Sequence, residues 1–213
     1  MRKVHFTDIG LISHADADMM MRIMQSKRIA DEIEDTILIC EHPELVTVGP
    51  RAKNDGIKPP TGYEYTHVDR GGGLTWHGPG QLVVYPIIKW DLEGESNVKA
   101  VINLLEEWVI TALAQLNISA QRDSRMQGVW VGENKICSIG LSFLQWTSRH
   151  GLTINCKTPT GRVEMVSGCG LGQDTTTSLA ALGFEIEIQL MNQALIDNIQ
   201  ILSRDTVELL REG

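Results

Sequence analysis

The chain is 213 residues long, 42% hydrophobic and 22% charged, with 19 basic against 27 acidic side chains and a formal net charge of −8. That is enough chain for one domain with a substantial core, and the acidic balance argues against bulk attraction to nucleic acid. No run approaches the roughly 18 apolar residues of a membrane span, and the opening Met1-Arg2-Lys3-Val4-His5-Phe6 lacks the apolar stretch of a secretory signal, so a cytoplasmic protein with no membrane partner is expected.

In chain order, residues 13–31 read as a first helix. Ser13 suits the N-cap, Asp16 and Asp18 the first turns, and Lys27 and Arg28 the end, each with the sign the helix dipole favours. The run Met19-Met20-Met21 reads as core filler. Residues 36–40 form a short apolar strand and 46–48 another. Residues 50–62 are a polar loop rich in breakers, carrying Arg51, Lys53 and Lys58 on an otherwise acidic chain. Such a run is either a solvated loop or a face for an acidic partner, with Arg122, Arg125 and Arg149 as further cations near predicted strands.

Residues 70–86 read R-G-G-G-L-T-W-H-G-P-G-Q-L-V-V-Y-P. Glycine at this density costs chain entropy, so it needs a backbone reason: a turn, or something lying against the main chain. Val68-Asp69 suits a strand end before it, and residues 82–88 form an apolar core strand after it. Neither a G-x-x-x-x-G-K-S/T loop nor a G-x-G-x-x-G turn is present, which sets nucleotide phosphates aside. An ordinary multi-turn loop with a hydrogen-bonded core His77 is the competing reading.

Residues 97–116 are the clearest helix, with Val98, Val101, Ile102, Leu105, Val109, Ala112, Leu113 and Leu116 on one stripe. Residues 127–131, 135–144 and 151–156 alternate like antiparallel strands, with a hairpin turn at Gly132-Glu133-Asn134. Residues 175–182 read as a short helix closed by Gly183, and 190–211 as a terminal amphipathic helix. This order predicts an α+β fold, helices packed on a largely antiparallel sheet, in a single domain spanning 1–213.

Cys40, Cys137, Cys156 and Cys169 form no C-x-x-C pair and no zinc-type spacing, so free thiols are expected. Two of them are candidate nucleophiles. Residues two apart in a strand share a face, so Lys135 and Cys137 should project together, although Ile136-Cys137-Ser138-Ile139 reads as core. In Gly168-Cys169-Gly170 the glycines leave a thiolate sterically open, with bare N–H groups able to hold an oxyanion. The residues alone leave both open.

The glycine stretch resembles the signature of the octanoyl-acyl-carrier-protein:protein N-octanoyltransferases, or lipoyl(octanoyl) transferases, R-G-G-x-x-T-aromatic-H-G-P-G-Q-L-x-x-Y, and Arg70 to Tyr85 match throughout. Residues 128–140, G-V-W-V-G-E-N-K-I-C-S-I-G, are similar to the family's lysine-bearing strand pair, and H-G-L-T-I-N at 150–155 to its H-G-x-x-L/I-N strand. Where the family usually has Pro-Cys-Gly this chain has Gly168-Cys169-Gly170. The resemblance implies the catalytic-domain fold of biotin and lipoate-protein ligases, a cysteine nucleophile at Cys169 and a catalytic lysine at Lys135. It implies acyl-substrate contacts at Arg70, Gly71, Gly72, Gly73, Leu74, Thr75, Trp76 and His77, at Ser138, Ile139 and Gly140, and at Gly151, Leu152 and Thr153. It further implies octanoyl-acyl carrier protein as donor and, as acceptors, lipoyl domains of 2-oxoacid dehydrogenases and the glycine cleavage H protein. No cofactor (ATP, metal or redox) is implied, and a monomer is. The rival readings are an ATP-dependent lipoate- or biotin-protein ligase and a non-catalytic paralogue that binds lipoyl domains.

Overall fold

The computed structural model describes residues 1–95, 97–166 and 175–211. The larger of its two sheets runs β10 (Arg204–Arg211), β1 (Arg2–Leu11), β2 (Asp35–Glu41), β6 (Gln81–Ile87), β9 (Thr147–Asn155), β8 (Asn134–Leu144), β7 (Val129–Val131). The β10–β1 and β1–β2 pairs are parallel and the others antiparallel, as an α+β fold with a largely antiparallel sheet requires. The smaller sheet is β4 (Tyr65–His67), β3 (Leu45–Val48), β5 (Leu74–His77).

The strand after the glycines sits in the middle because it can be buried on both faces. Leu82 and Val84 of β6 point into the main core beneath α3 (Val98–Gln115) and α4 (Ile188–Asp197), while Val83, Tyr85 and Ile87 meet Ala17 and Met21 of α1 (His14–Ile29). A strand covered on both sides reads as a continuous apolar run. The caps are the expected ones: Ser13 Oγ accepts from Asp16 N–H at 3.1 Å, and Asn97 Oδ1 from Ala100 N–H at 2.9 Å. Within the methionine run only Met21 is fully buried, and Met19 faces solvent. Among the described residues no helix is long and apolar enough to cross a membrane.

Several expectations are corrected. β1 was not anticipated, although Val4 and Phe6 alternate inward between outward Lys3, His5 and Thr7. The breaker-rich loop opens with a short helix, α2 (Pro50–Asn54), where proline's fixed φ suits a first turn. The glycine stretch contains a strand of its own, β5. The helix expected over 175–182 shrinks to a 3-10 turn at Ala180–Leu182, closed as expected by Gly183 in the left-handed region. The helix expected over 190–211 stops at Asp197. A 3-10 turn at Ile199–Leu202 follows, Ser203 reverses the chain at φ 56°, and β10 returns along β1. Tertiary pairing overrides the helical pattern there. Arg204 is fully buried and donates to Asp35 Oδ2 at 3.1 Å and to Glu95, while Arg28 takes the other Asp35 oxygen at 2.6 Å.

Candidate active site

Two adjoining cavities lie where the small sheet meets β8 and β9. The first is lined by Gly71, Gly72, Gly73, Leu74 and Trp76 of the glycine stretch, and by Lys135 and Ile139 of β8. Gln81, Asn155, Val163, Val166 and Thr176 complete much of its wall. The second takes in His77, Gly140, Gly151 and Leu152, together with His14, Tyr85 and His150. Arg70, Thr75, Ser138 and Thr153 line both. Cys169 lies outside the described residues.

The glycines serve close approach. Gly71 N–H donates to Leu141 O at 2.9 Å, and Gly49 N–H, at the start of α2, to Gly73 O at 3.0 Å, so main chain holds the loop from both sides. A Cβ on Gly140 would stand 2.8 Å from Gly71 O and 3.0 Å from Arg70 Cδ, so any side chain there would push the loop off β8. Buried Arg70 donates to Thr47 Oγ1 at 2.7 Å and to Thr47 O at 3.1 Å, tying the loop to β3.

Lys135 is 5% exposed. Gly128, at φ +127°, makes its space: a Cβ there would sit 2.6 Å from Lys135 Cε and 2.2 Å from Cys137 O. Burial lowers the lysine's pKa to about 8, against an opposing pull from Cys137 and Glu106. Glu106 is already engaged, accepting from Gly128 N–H at 2.8 Å and Arg122 Nε at 3.0 Å. The expected alternation at Lys135 and Cys137 does not hold. Trp130 pairs with Lys135 while Val129 pairs with Cys137, so Ile136 enters as an extra residue. Ile136 and Cys137 both pack in the main core, and burial pushes the Cys137 thiol up to about 12. Cys156 is likewise raised to about 12, and Cys40 is raised strongly, both by burial.

Beneath the cavities runs a chain of polar side chains. Thr47 Oγ1 lies 3.1 Å from His77 Nε2, and His77 Nδ1 lies 2.9 Å from Gln81 Oε1. Gln81 Nε2 donates to Trp76 O at 2.8 Å and to Asn155 Oδ1 at 2.9 Å, and Asn155 Nδ2 donates to Thr177 O at 2.9 Å. His77 thus spends both ring nitrogens inside the protein. His14 stacks in the same region, with ring centroids 5.5 Å from His42, 6.1 Å from His77 and 6.3 Å from His150. Burial lowers His14 and His150 to about 4 and drives His77 well below the ordinary histidine range. At neutral pH the second cavity is therefore walled by neutral rings.

Three of the six cations singled out in the sequence are tied down. Arg149 is buried between Asp18 at 2.8 Å and Asp69 at 2.5 Å, Arg122 is held by Glu106 and Glu107, and Arg125 by Asp123. Arg51 is exposed, lines the first cavity, and has Asp55 no closer than 3.9 Å. Sequence reasoning passed over Gln81 and Asn155. Their signal is that a buried amide closes each of two motifs, H-G-P-G-Q and H-G-L-T-I-N.

Residues 15–200 match the family model described as the lipoyl protein ligase A/B catalytic domain. The chain belongs to that family. It is 37% identical over 201 residues to an octanoyltransferase of Rubrobacter xylanophilus, covering 90% of this chain and 89% of that one. An octanoyltransferase of Syntrophobacter fumaroxidans is 33% identical over 188 residues, covering 85% and 82%. Among solved structures, a T. acidophilum protein described as a lipoate protein ligase with bound lipoic acid superposes with a TM-score of 0.73. The superposition covers 99% of this chain and 90% of that one, and at 14% identity it establishes the shared fold alone.

Proposed function

We propose that this chain is an acyltransferase that moves an octanoyl group from octanoyl-acyl carrier protein to the target lysine of lipoyl domains, through a thioester on Cys169. It acts as one catalytic domain over residues 1–213, as a monomer in the cytoplasm, without a cofactor. The single observation that carries this reading is a convergence around Lys135. The segment 167–174 bears Cys169, and its described neighbours Val166 and Thr176 both line the Lys135 cavity. Lys135 N–H donates to Thr175 O at 2.8 Å, and Thr177 N–H donates to Lys135 O at 3.0 Å. The other three cysteines are buried with protonated thiols, which leaves Cys169 as the candidate thiolate.

The chemistry balances without a further reactant. Lys135, poised near pH 8, accepts the Cys169 thiol proton. The thiolate forms a C–S bond to the octanoyl carbonyl, and the donor's C–S bond breaks, releasing its thiol with that proton. The acceptor lysine's neutral amine then forms a C–N bond to the same carbonyl. Cys169 leaves as thiolate and the amine's surplus proton returns to it by way of Lys135. The first exchange is thioester for thioester and nearly neutral; the second makes an amide and runs downhill. The acyl chain would lie against the glycine loop, within reach of Arg70 to His77, Ser138 to Gly140 and Gly151 to Thr153. The curated relatives at 31–39% identity are octanoyltransferases, which favours this over an ATP-dependent ligase.

The test is intact mass after incubation with octanoyl-acyl carrier protein and no ATP. The expected result is a single octanoyl adduct, labile to hydroxylamine, absent from Cys169→Ser and discharged onto a lipoyl domain. An adduct that persists in Cys169→Ser, or transfer that requires ATP, overturns the reading.

A further inference from the structure

The polar chain under the cavities ends at a telling place. Both ends of it are fixed, because Arg70 can only donate and Thr177 O can only accept. The amides are fixed too: Trp76 O and Thr177 O, both pure acceptors, face Gln81 Nε2 and Asn155 Nδ2. Every hydrogen bond from Arg70 through Thr47, His77, Gln81 and Asn155 to Thr177 therefore has one direction. Asn155 is the junction. It is buried, it lines the Lys135 cavity, and its own carbonyl accepts from Leu179 N–H at 2.8 Å. Thr177 is gripped three ways: by Lys135 O through its N–H, by Asn155 Nδ2 through its carbonyl, and by Glu164 Oε1 through its hydroxyl at 2.9 Å.

A buried hydrogen-bonded pair adds little net stability over an apolar pair of the same shape, whereas its geometry is exacting. A row of amides and an imidazole beneath an acyl cavity is thus better suited to holding one arrangement than to strengthening the core. We propose that Asn155 is a positioning residue for acyl transfer: it registers residues 175–177 against Lys135, and ties that register to His77 and Arg70 beneath the acyl chain. The proposal rests on the octanoyl-transfer reading above.

Asn155→Asp tests it with little change of shape. As carboxylate, the new side chain faces Thr177 O with an oxygen and repels it; as neutral acid, it can donate where the amide did. Burial raises a carboxyl's pKa, so the neutral form gains as pH falls. Single-turnover formation of the octanoyl adduct from octanoyl-CoA should slow by about 30-fold near pH 8, the scale of a reacting group misplaced by a fraction of an ångström. KM for octanoyl-CoA should stay within about twofold, and the ratio of variant to wild-type rate should climb as pH is lowered toward about 6. An unchanged rate, a loss confined to KM, or a pH-independent ratio overturns the proposal. Asn155→Ser, which drops the bond to Thr177 O without burying a charge, covers the case in which Asn155→Asp does not fold. It should slow adduct formation by about threefold with KM held, and a wild-type rate there overturns the proposal. If wild-type protein forms no adduct at all, the functional reading fails instead.

Discussion

Two buried polar clusters at opposite ends of the large sheet show what pairing does to a charge. At the β10 end, Asp35 is fully buried between Arg28 and Arg204, with Glu95 on the far side of Arg204. Each charge there has an opposite within hydrogen-bond reach, and the cluster fastens the last strand to the sheet. At the β8 end, Lys135 is almost as deeply buried, but its nearest named carboxylate, Glu106, is committed to Arg122 and a main-chain N–H. Among the described residues the lysine has no dedicated carboxylate, and desolvation lowers it to about 8. Compensated burial makes structure, and burial with less compensation leaves a group able to exchange a proton near neutral pH.

Lys135→Met should sharpen that contrast most. It removes the proposed proton carrier, so on that reading Cys169 acylation should fall by roughly 10²- to 10⁴-fold, the usual weight of general acid–base catalysis. An unchanged pH dependence of Cys169 alkylation in the variant would assign Lys135 another task. The same variant should be more stable than wild type at neutral pH. The lysine binds fewer protons folded than unfolded between about 8 and 10.5, so wild-type stability rises with pH across that window. The variant's advantage, on the order of 3 kcal/mol below it, should fade to little above it, as denaturant titrations at several pH values would show.

Asp35→Asn attacks the paired cluster. Leaving two buried guanidiniums short of a partner should cost about 3–5 kcal/mol in chemical denaturation while sparing adduct formation per folded molecule. If acylation falls with Asp35→Asn, the two clusters are not separate in function. The smallest effect belongs to the surface. Reversing Arg51 and Lys53 to Glu should raise KM for octanoyl-acyl carrier protein several-fold more than KM for octanoyl-CoA, and less so as salt rises, because exposed charges act mainly on encounter. Equal losses on both donors would make α2 an ordinary solvated turn.

Local signals carried much of this architecture. The caps at Ser13 and Asn97, the stripe of α3 and the double-faced β6 all follow from residues within one element. The errors fell where partners are distant in sequence. Nothing near Arg204 announces that its guanidinium will meet Asp35, so the amphipathic pattern read over 190–211 extended a helix too far. Strict alternation at Lys3-Val4-His5-Phe6 was readable as β1 and was passed over. The glycine stretch stood out because glycine at that density costs chain entropy, and Lys135 was picked out by the resemblance of residues 128–140 to the family's strand pair. The extra residue at Ile136 was not, since a bulge depends on the neighbouring strand, and it decides that Cys137 turns inward. Asn155 and Gln81 gain their meaning only from partners that lie far away in sequence.

The pairing of β10 with β1 also sets an order of assembly. Arg2 lies opposite Arg204, so β1 gains its outer neighbour only after some two hundred further residues have been made. Until then β1 presents an open row of amides and carbonyls, a template for pairing with another nascent chain. Closure at so large a sequence separation is slow. Chains that lack β10 should therefore fail by sticking to one another rather than by losing the two cavities, since none of the described residues lining them belongs to β10.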